Sequence, residues 1–318
     1  MLRVAALLAV LAAALPATAS ASQLIDRNAS GVRLEVNSAG QALLSYRAAG
    51  LVRHVLVWGA LDARPPTASV PQVEFRVDYS GGWGSFRKLV WKDFRNTCKP
   101  YTGPAVAMLV TACTALDGSY WAVQTWQRGL PDLGFSPWTP LQSAWELRIS
   151  HWTGPIAALD VHSDWVYNGR FQELIGRMTY KDAAVHGFKT TSRGVPLDTY
   201  GRNLYLDTFD STYGSGWRRE NGFVVHKPNG NFCYGFYPFR IGDYDHPKTI
   251  AASGLRGPGT GSQYRITVIG PGVTPDIVWQ GAGLHPFDPG NPGDLQLEQE
   301  GNALLDELAA SERGCKRH

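Results

Sequence analysis

Apolar and polar residues alternate with a period of two through much of the chain, the pattern of half-buried β-strands. Val32, Leu34 and Val36 face one way and Arg33 and Glu35 the other, and Asn37-Ser38-Ala39-Gly40 then turns the chain. Segments 42–46 and 52–58 continue as a meander, and Val73, Phe75, Val77 and Tyr79 alternate with Glu74, Arg76 and Asp78. The same pattern predicts strands over 105–116, 120–126, 145–151, 156–165, 171–180, 203–209, 222–227, 231–237, 264–269 and 276–279. Asp117-Gly118 and Asn229-Gly230 are hairpin turns between them, and 91–96 reads as a short helix.

One long helix is predicted. Asp288-Pro289-Gly290-Asn291-Pro292-Gly293 forms a double turn, after which Asp294 caps a helix running to Glu312. Leu297, Leu304, Leu305 and Leu308 make a stripe expected to pack on the β core, with Gly301 the one residue that argues against a helix. There is no fixed-period repeat. The fold class expected is mainly β, an antiparallel β-sandwich or jelly-roll-like arrangement with one C-terminal helix. The division expected is a leader over 1–21, a β-rich globular domain over 22–287 with a sub-boundary near 65–71, and the turn, helix and tail of 288–318 packed on it.

The first residues change the setting. Arg3, an apolar run from Val4 to Leu15 and the small residues Ala17, Thr18, Ala19, Ser20 and Ala21 have the order of a secretory signal peptide, cut after Ala21. A bilayer span needs about 20 residues, so the run is too short to anchor the chain, and the expected location is extracellular with no integral anchor after cleavage. A net charge of +3 with no basic tail argues against nucleic acid as a partner, because phosphate binding takes several clustered cations. Four cysteines in an exported chain allow three pairings; Cys98 with Cys113 and Cys233 with Cys315 are favoured, the first closing a local loop and the second fastening the tail.

Two constellations carry candidate chemistry. Along one strand Asp160, His162 and Asp164 share a face, with Val161 and Trp165 on the other. Flanking carboxylates raise the pKa of His162 and make the row a candidate acid–base group, with Glu173 or Glu220 as a second carboxylate; a solvated strand face is the plainer alternative. On a straight strand the outer two members sit roughly 13 Å apart, so a metal would bridge only neighbours. Segment 200–221 gathers Tyr205, Asp207, Asp210, Tyr213, Trp217 and Arg218, planar rings beside polar groups, as a sugar site requires; the alternative is an ordered loop whose rings cover core. Asp288, Asn291 and Asp294 offer oxygen ligands for Ca²⁺ without the spacing of an EF-hand, and turn and cap roles account for them equally; otherwise no cofactor is expected. Ser85-Phe86-Arg87-Lys88 matches the Ser-x-x-Lys acylation motif but lacks its partner motifs.

The block from Ser30-Gly31-Val32-Arg33-Leu34 through Val57-Trp58-Gly59-Ala60, extending to Phe232-Cys233-Tyr234-Gly235-Phe236, resembles uncharacterised secreted proteins of high-GC actinobacteria. The resemblance implies export and assigns no activity. With 11 Trp, few charges and no reaction motif, the function expected is a secreted binding protein for glycan or another cell-envelope component. The alternatives are a polysaccharide hydrolase or lyase, and a structural envelope protein with no small ligand.

Overall fold

The computed structural model of the protein describes residues 22–65, 67, 69–127, 130–131, 144–169, 171–185, 189–190, 196–197, 203–211, 214–219, 223–226, 231–236, 261–269 and 274–309. The leader expected over 1–21 lies outside these residues, as do Cys315, Tyr213 and Glu220 and the side chains of Tyr205, Arg218 and Cys233.

Antiparallel sheets account for most of the architecture, and they stack as four layers. Layer one contains, in spatial order, Ser30–Val36, Ala42–Ala48, Leu51–Gly59 and Phe75–Asp78. Layer two contains Gln23–Arg27, Trp145–Trp152, Tyr120–Gln127, Leu109–Thr114 and Lys99–Pro100. Layer three is built on Asn203–Ser211, which pairs with Gly214–Arg219 and Gln263–Ile269, the latter continuing to Ile277–Ala282; Gly214–Arg219 also pairs in parallel with Leu130–Pro131. Layer four contains Ala158–Val166, Phe171–Tyr180, Asn231–Phe236 and Phe223–His226. Segment 65–71 connects two neighbouring strands of layer one.

Alternation along single strands explains the stacking. Val55 and Val57 of layer one meet Trp121, Val123, Leu147 and Ile149 of layer two in one apolar core. Tyr264 and Ile266 of layer three meet Val161, Leu174 and Met178 of layer four in the second. Each is the interior of a sandwich, of the kind that buried strand faces form when two sheets pack. The remaining faces of layers two and three meet each other. Trp121 and Trp126 point to opposite sides of one strand, yet both are buried, because layer two is covered twice. Trp145, at the end of the next strand, stays half exposed.

The interface between layers two and three is polar and aromatic. Arg148 lies 5.4 Å from the Trp126 ring, and Arg265 lies 5.7 Å from the same ring and 4.3 Å from Trp217, so cations and rings alternate across the junction. Carboxylates neutralise them: Arg148 donates to Glu146 at 2.8 Å and Arg265 to Asp207 at 2.7 Å. Asp276 completes the junction, accepting from Ser22 Oγ at 2.6 Å and Trp126 Nε1 at 3.2 Å while its backbone exchanges two bonds with the Gln124 amide. Burial raises the pKa of Asp276 and the Arg148 charge opposes that rise.

Cys98 and Cys113 form a disulfide, as expected from the local loop they close, with Cα atoms 5.8 Å apart. It ties the end of the segment crossing layer one to the strand Leu109–Thr114 of layer two. Chain-entropy bookkeeping for a loop of this length gives about 3 kcal/mol. The Cys233–Cys315 pairing lies outside the described residues.

The C-terminal helix, Pro292–Ala309, corrects the expectation for its packing face. Its buried positions are Asp294, Glu298, Gly301, Asn302 and Leu305, while Leu297 and Leu304 are only half-buried. The helix docks polar side chains because the turn after Ala158–Val166 needs acceptors. Tyr167 and Asn168 are left-handed there, and their N–H groups donate to Asn302 Oδ1 and Glu298 Oε1 at 3.2 and 2.9 Å. Gly301 is what permits the approach: a Cβ there would lie 2.7 Å from both Asp164 Cβ and the Trp165 carbonyl oxygen. The N-cap is Asn291, not Asp294; its Oδ1 accepts from Gly293 N at 2.9 Å, with Pro292 at the first helical position.

Candidate binding surface on the outer sheet

Segment 79–97 crosses the outer face of layer one from edge to edge. It leaves the edge strand Phe75–Asp78 and reaches the opposite edge at Val36, where Thr97 N donates to the Val36 carbonyl at 2.7 Å and Val36 N donates to Asn96 Oδ1 at 3.0 Å. His54, Leu56 and Trp58 point to this face, since Val55 and Val57 point inward. Leu43 and Leu56 are fully buried on it, although among the described residues no second sheet lies there.

The crossing segment is held in place from its first residue. The Asp78 carboxylate accepts from Ser80 N at 2.9 Å, Ser85 N at 2.7 Å and the Ser80 hydroxyl. Burial by itself raises the pKa of this carboxyl; the Ser80 and Ser85 hydrogen bonds more than reverse that and hold it at about 2. Gly81 and Gly82, both with positive φ, let the backbone approach Trp91 and Val90: a Cβ would sit 2.6 Å from Trp91 Cδ1 and 2.4 Å from Val90 Cγ2. Two short helical turns follow, Trp83–Phe86 and Val90–Lys92. Trp91 stacks on His54 with ring centroids 4.3 Å apart, and Phe86 tilts against Trp58 at 5.5 Å.

The outcome is a platform of rings on a fixed backbone. Trp83 is 54% exposed and Phe86 46% in one helical turn, while Trp58, under Phe86, and Trp91, on His54, are half-buried. Large rings are costly to leave in water, which makes this face a candidate contact surface. The sequence pattern did not single out this face. Trp-Gly-Ser-Phe-Arg-Lys-Leu-Val-Trp-Lys-Asp-Phe-Arg over 83–95 sustains neither a helical nor a strand period, and the short helix expected over 91–96 is replaced by the single turn Val90–Lys92; the usable signal is its density of rings and cations. Within it, Ser85 and Lys88 have structural roles, Ser85 binding Asp78 through its backbone and Lys88 pairing with Asp93 at 3.2 Å.

Segment 200–221 does not form the expected sugar site with its described residues. Asp207 is fully buried and bound to Arg265, which removes it from hydrogen bonding with a ligand. One face of Trp217 is taken by the same guanidinium and Phe209 lies 5.2 Å away. Asp210 is exposed and accepts from Gly216 N at 2.7 Å, a turn role. The physical reason is the cross-strand register of Asp207 with Arg265, a pairing between residues far apart in sequence.

The row on Ala158–Val166 is split by the C-terminal helix. His162 Nε2 lies 3.5 Å from Asp160 Oδ2, and both side chains are well exposed. Asp164 shares their face but is buried beneath Gly301, with Glu173 directly opposite on the neighbouring strand and fully buried. Burial pushes the Asp164 carboxyl up to about 6, with His162 pulling it down and Glu300 pushing it further up. A raised carboxyl is what a general acid needs, but substrate reaches Asp164 only if the helix moves. This row and Asp207 with Trp217 lie on opposite sides of the second apolar core, so they do not share a site.

The Asp164 pKa is higher in the folded protein than in the unfolded chain. The folded state binds this proton more tightly than the unfolded chain, so its contribution is full below about pH 4 and is lost as pH rises through about 6. Asp164→Asn is therefore expected to stabilise the protein at pH 7 by about 1–3 kcal/mol and to have little effect at pH 4. Urea unfolding of both proteins at the two pH values measures it; equal destabilisation at both would show that the carboxylate is needed for packing.

Another pair resembles a nucleophile and its base. His151 Nε2 lies 2.8 Å from Ser119 Oγ, its Nδ1 2.8 Å from the Gly59 carbonyl, and its ring stacks on Trp121 at 3.8 Å. Ser119 is 1% exposed, so the pair serves the interior of the protein. The three residues considered for calcium are engaged in the turn: Asp294 accepts from Asp288 N at 2.9 Å and Asn291 Nδ2 at 3.0 Å, and Asp288 accepts from Gly290 N at 2.8 Å. Among the described residues no group of three or more His, Cys, Asp or Glu is arranged to hold a metal ion. No protein-family description, curated protein or solved structure matches the chain.

Proposed function

We propose that the chain is an exported binding protein and that it holds a glycan across the platform of Trp58, Trp83, Phe86 and Trp91. The observation that carries this reading is the exposure of Trp83 and Phe86 on a segment fastened at both edges of the sheet. Sugar rings present flat C–H faces that stack on aromatic faces, and a preformed support avoids the ordering cost of binding. Export is supported by the order of charge, apolar run and small residues at the N-terminus, and the Cys98–Cys113 bond suits an oxidising compartment. The binding surface thus moves from segment 200–221 to segment 79–97.

Retention of the purified protein on a panel of insoluble polysaccharides tests the reading. The wild type is expected to be retained by at least one of them. The double variant Trp83→Ala/Phe86→Ala is expected to lose about 30-fold in affinity, the scale of a truncated aromatic hot spot. Retention of the variant equal to that of the wild type, or no retention of a folded wild type on any polymer, would overturn it.

A further inference from the structure

We infer that the glycan bound on layer one is anionic, a polymer whose sugars carry carboxylate groups; this rests on the platform being the contact surface. Residues 76–95 contain five Lys or Arg against two acids, in a chain whose net charge is only +3. Neither acid is available to balance them. Asp78 is buried and spends its oxygens on Ser80 and Ser85, and Asp93 pairs with Lys88. Arg76, Arg87 and Arg95 make no ion pair among the described residues.

The cations are interleaved with the rings. Arg76 is the cross-strand partner of Trp58. Arg87 closes the turn that begins at Trp83, its N–H donating to the Trp83 carbonyl at 3.0 Å. Lys92 stands 5.7 Å from the Trp91 ring. Arg33 and Arg47 extend the positive charge over the same outward face, where Glu35 is half-buried and Glu74, two residues before Arg76, is exposed. A neutral glycan would use the rings and leave these cations unmatched. A uronate polymer meets both, since each sugar has an apolar face for a ring and a carboxylate for a guanidinium, which binds it in a fork.

Two other polyanions fit less well. Nucleic-acid-binding domains carry a strong basic excess, whereas the net charge of this chain is only +3. A membrane-surface element is an amphipathic helix with an apolar face, whereas the helix here is four residues long and the segment is fastened to both edges of a sheet.

The test is affinity electrophoresis of the full chain through gels containing polygalacturonate or the same polymer fully methyl-esterified. The wild type is expected to be retarded by the acid polymer about tenfold more strongly than by the ester, and to lose most of that difference between about 0.05 and about 0.5 M salt. Arg76→Gln/Arg87→Gln is expected to lose the preference for the acid while keeping the weak retardation by the ester and an unchanged thermal melt. Equal retardation by both polymers would overturn the charge inference and leave the aromatic platform standing. No retardation by either, with the protein folded, would overturn both. Sedimentation with phosphatidylglycerol vesicles in the absence of polymer retardation would replace the glycan by a lipid surface.

Discussion

Arg265→Ala is expected to lower the unfolding free energy by about 3–5 kcal/mol, the cost of removing one partner from a buried ion pair. Arg265 is 2% exposed, and its guanidinium donates to Asp207 Oδ2 from both Nε and Nη2, at 3.1 and 2.7 Å, and to the Gln127 carbonyl at 2.9 Å. It also lies over Trp217 and beside Trp126. Its loss leaves the Asp207 carboxylate in the interior without that counter-charge and opens a cavity between two indoles. The Asp207→Leu/Arg265→Met double variant is expected to recover much of the loss, because it removes both charges and keeps the volume. Urea denaturation followed by tryptophan fluorescence measures both proteins. A loss below about 1 kcal/mol for Arg265→Ala would mean that layers two and three are joined by something other than this alternation of rings and cations.

Asp78→Ala is expected to cost about 2–3 kcal/mol at neutral pH and to abolish binding at the platform, two effects with one origin. The carboxylate organises segment 79–97 through Ser80 and Ser85, and that segment carries Trp83 and Phe86. Its pKa is held at about 2, below the ordinary 3.8, so the fold favours the charged form. The stabilisation is present above about pH 4 and is lost as pH falls through about 2, so the stability gap between wild type and variant closes in acid. Asp78→Asn keeps the shape and one acceptor and is expected to fall between the two. Unfolding curves from neutral to acid pH, with polysaccharide retention at neutral pH, report both effects. A variant as weakened as predicted but still binding would separate the Asp78 anchor from the function.

How much of this was legible in the sequence follows from the range of the interactions. Strand positions were legible where one face is apolar and the other polar, as in Val32, Leu34 and Val36, because the period of two is a local property. The Cys98–Cys113 bond was legible because it closes a short loop. The sequence places the C-terminal helix, and Leu305 of its leucine stripe is buried, but the rest of the docked face is polar or glycine. Its leucine stripe looks like core, and the need for acceptors at Tyr167 and Asn168 arises only once the helix lies beside them. Gly301 counted against the helix in sequence and turns out to be what lets it dock.

The candidate sites were less legible for the same reason. Asp207 and Trp217 have the composition of a sugar site, but Arg265 occupies both from a strand 58 residues further along the chain. The row of Asp160, His162 and Asp164 alternates as expected, and its division into exposed and buried members depends on a helix that follows in sequence more than a hundred residues later. The platform was invisible to periodicity, since a segment that crosses a sheet has no repeat of its own. Only the register of layer one shows that Trp58 and Arg76 are neighbours, and only the ring contact of Phe86 with Trp58 brings segment 79–97 beside them.

The central claim, that layer one carries the contact surface, is tested most directly by oxidative footprinting of the full chain with and without the polysaccharide that retains it. Trp83 and Phe86 are expected to become protected when the polymer is added, while Trp145, half exposed on layer two, keeps its reactivity. Protection of Trp217 with Trp83 and Phe86 unchanged would contradict the claim and return the site to segment 200–221.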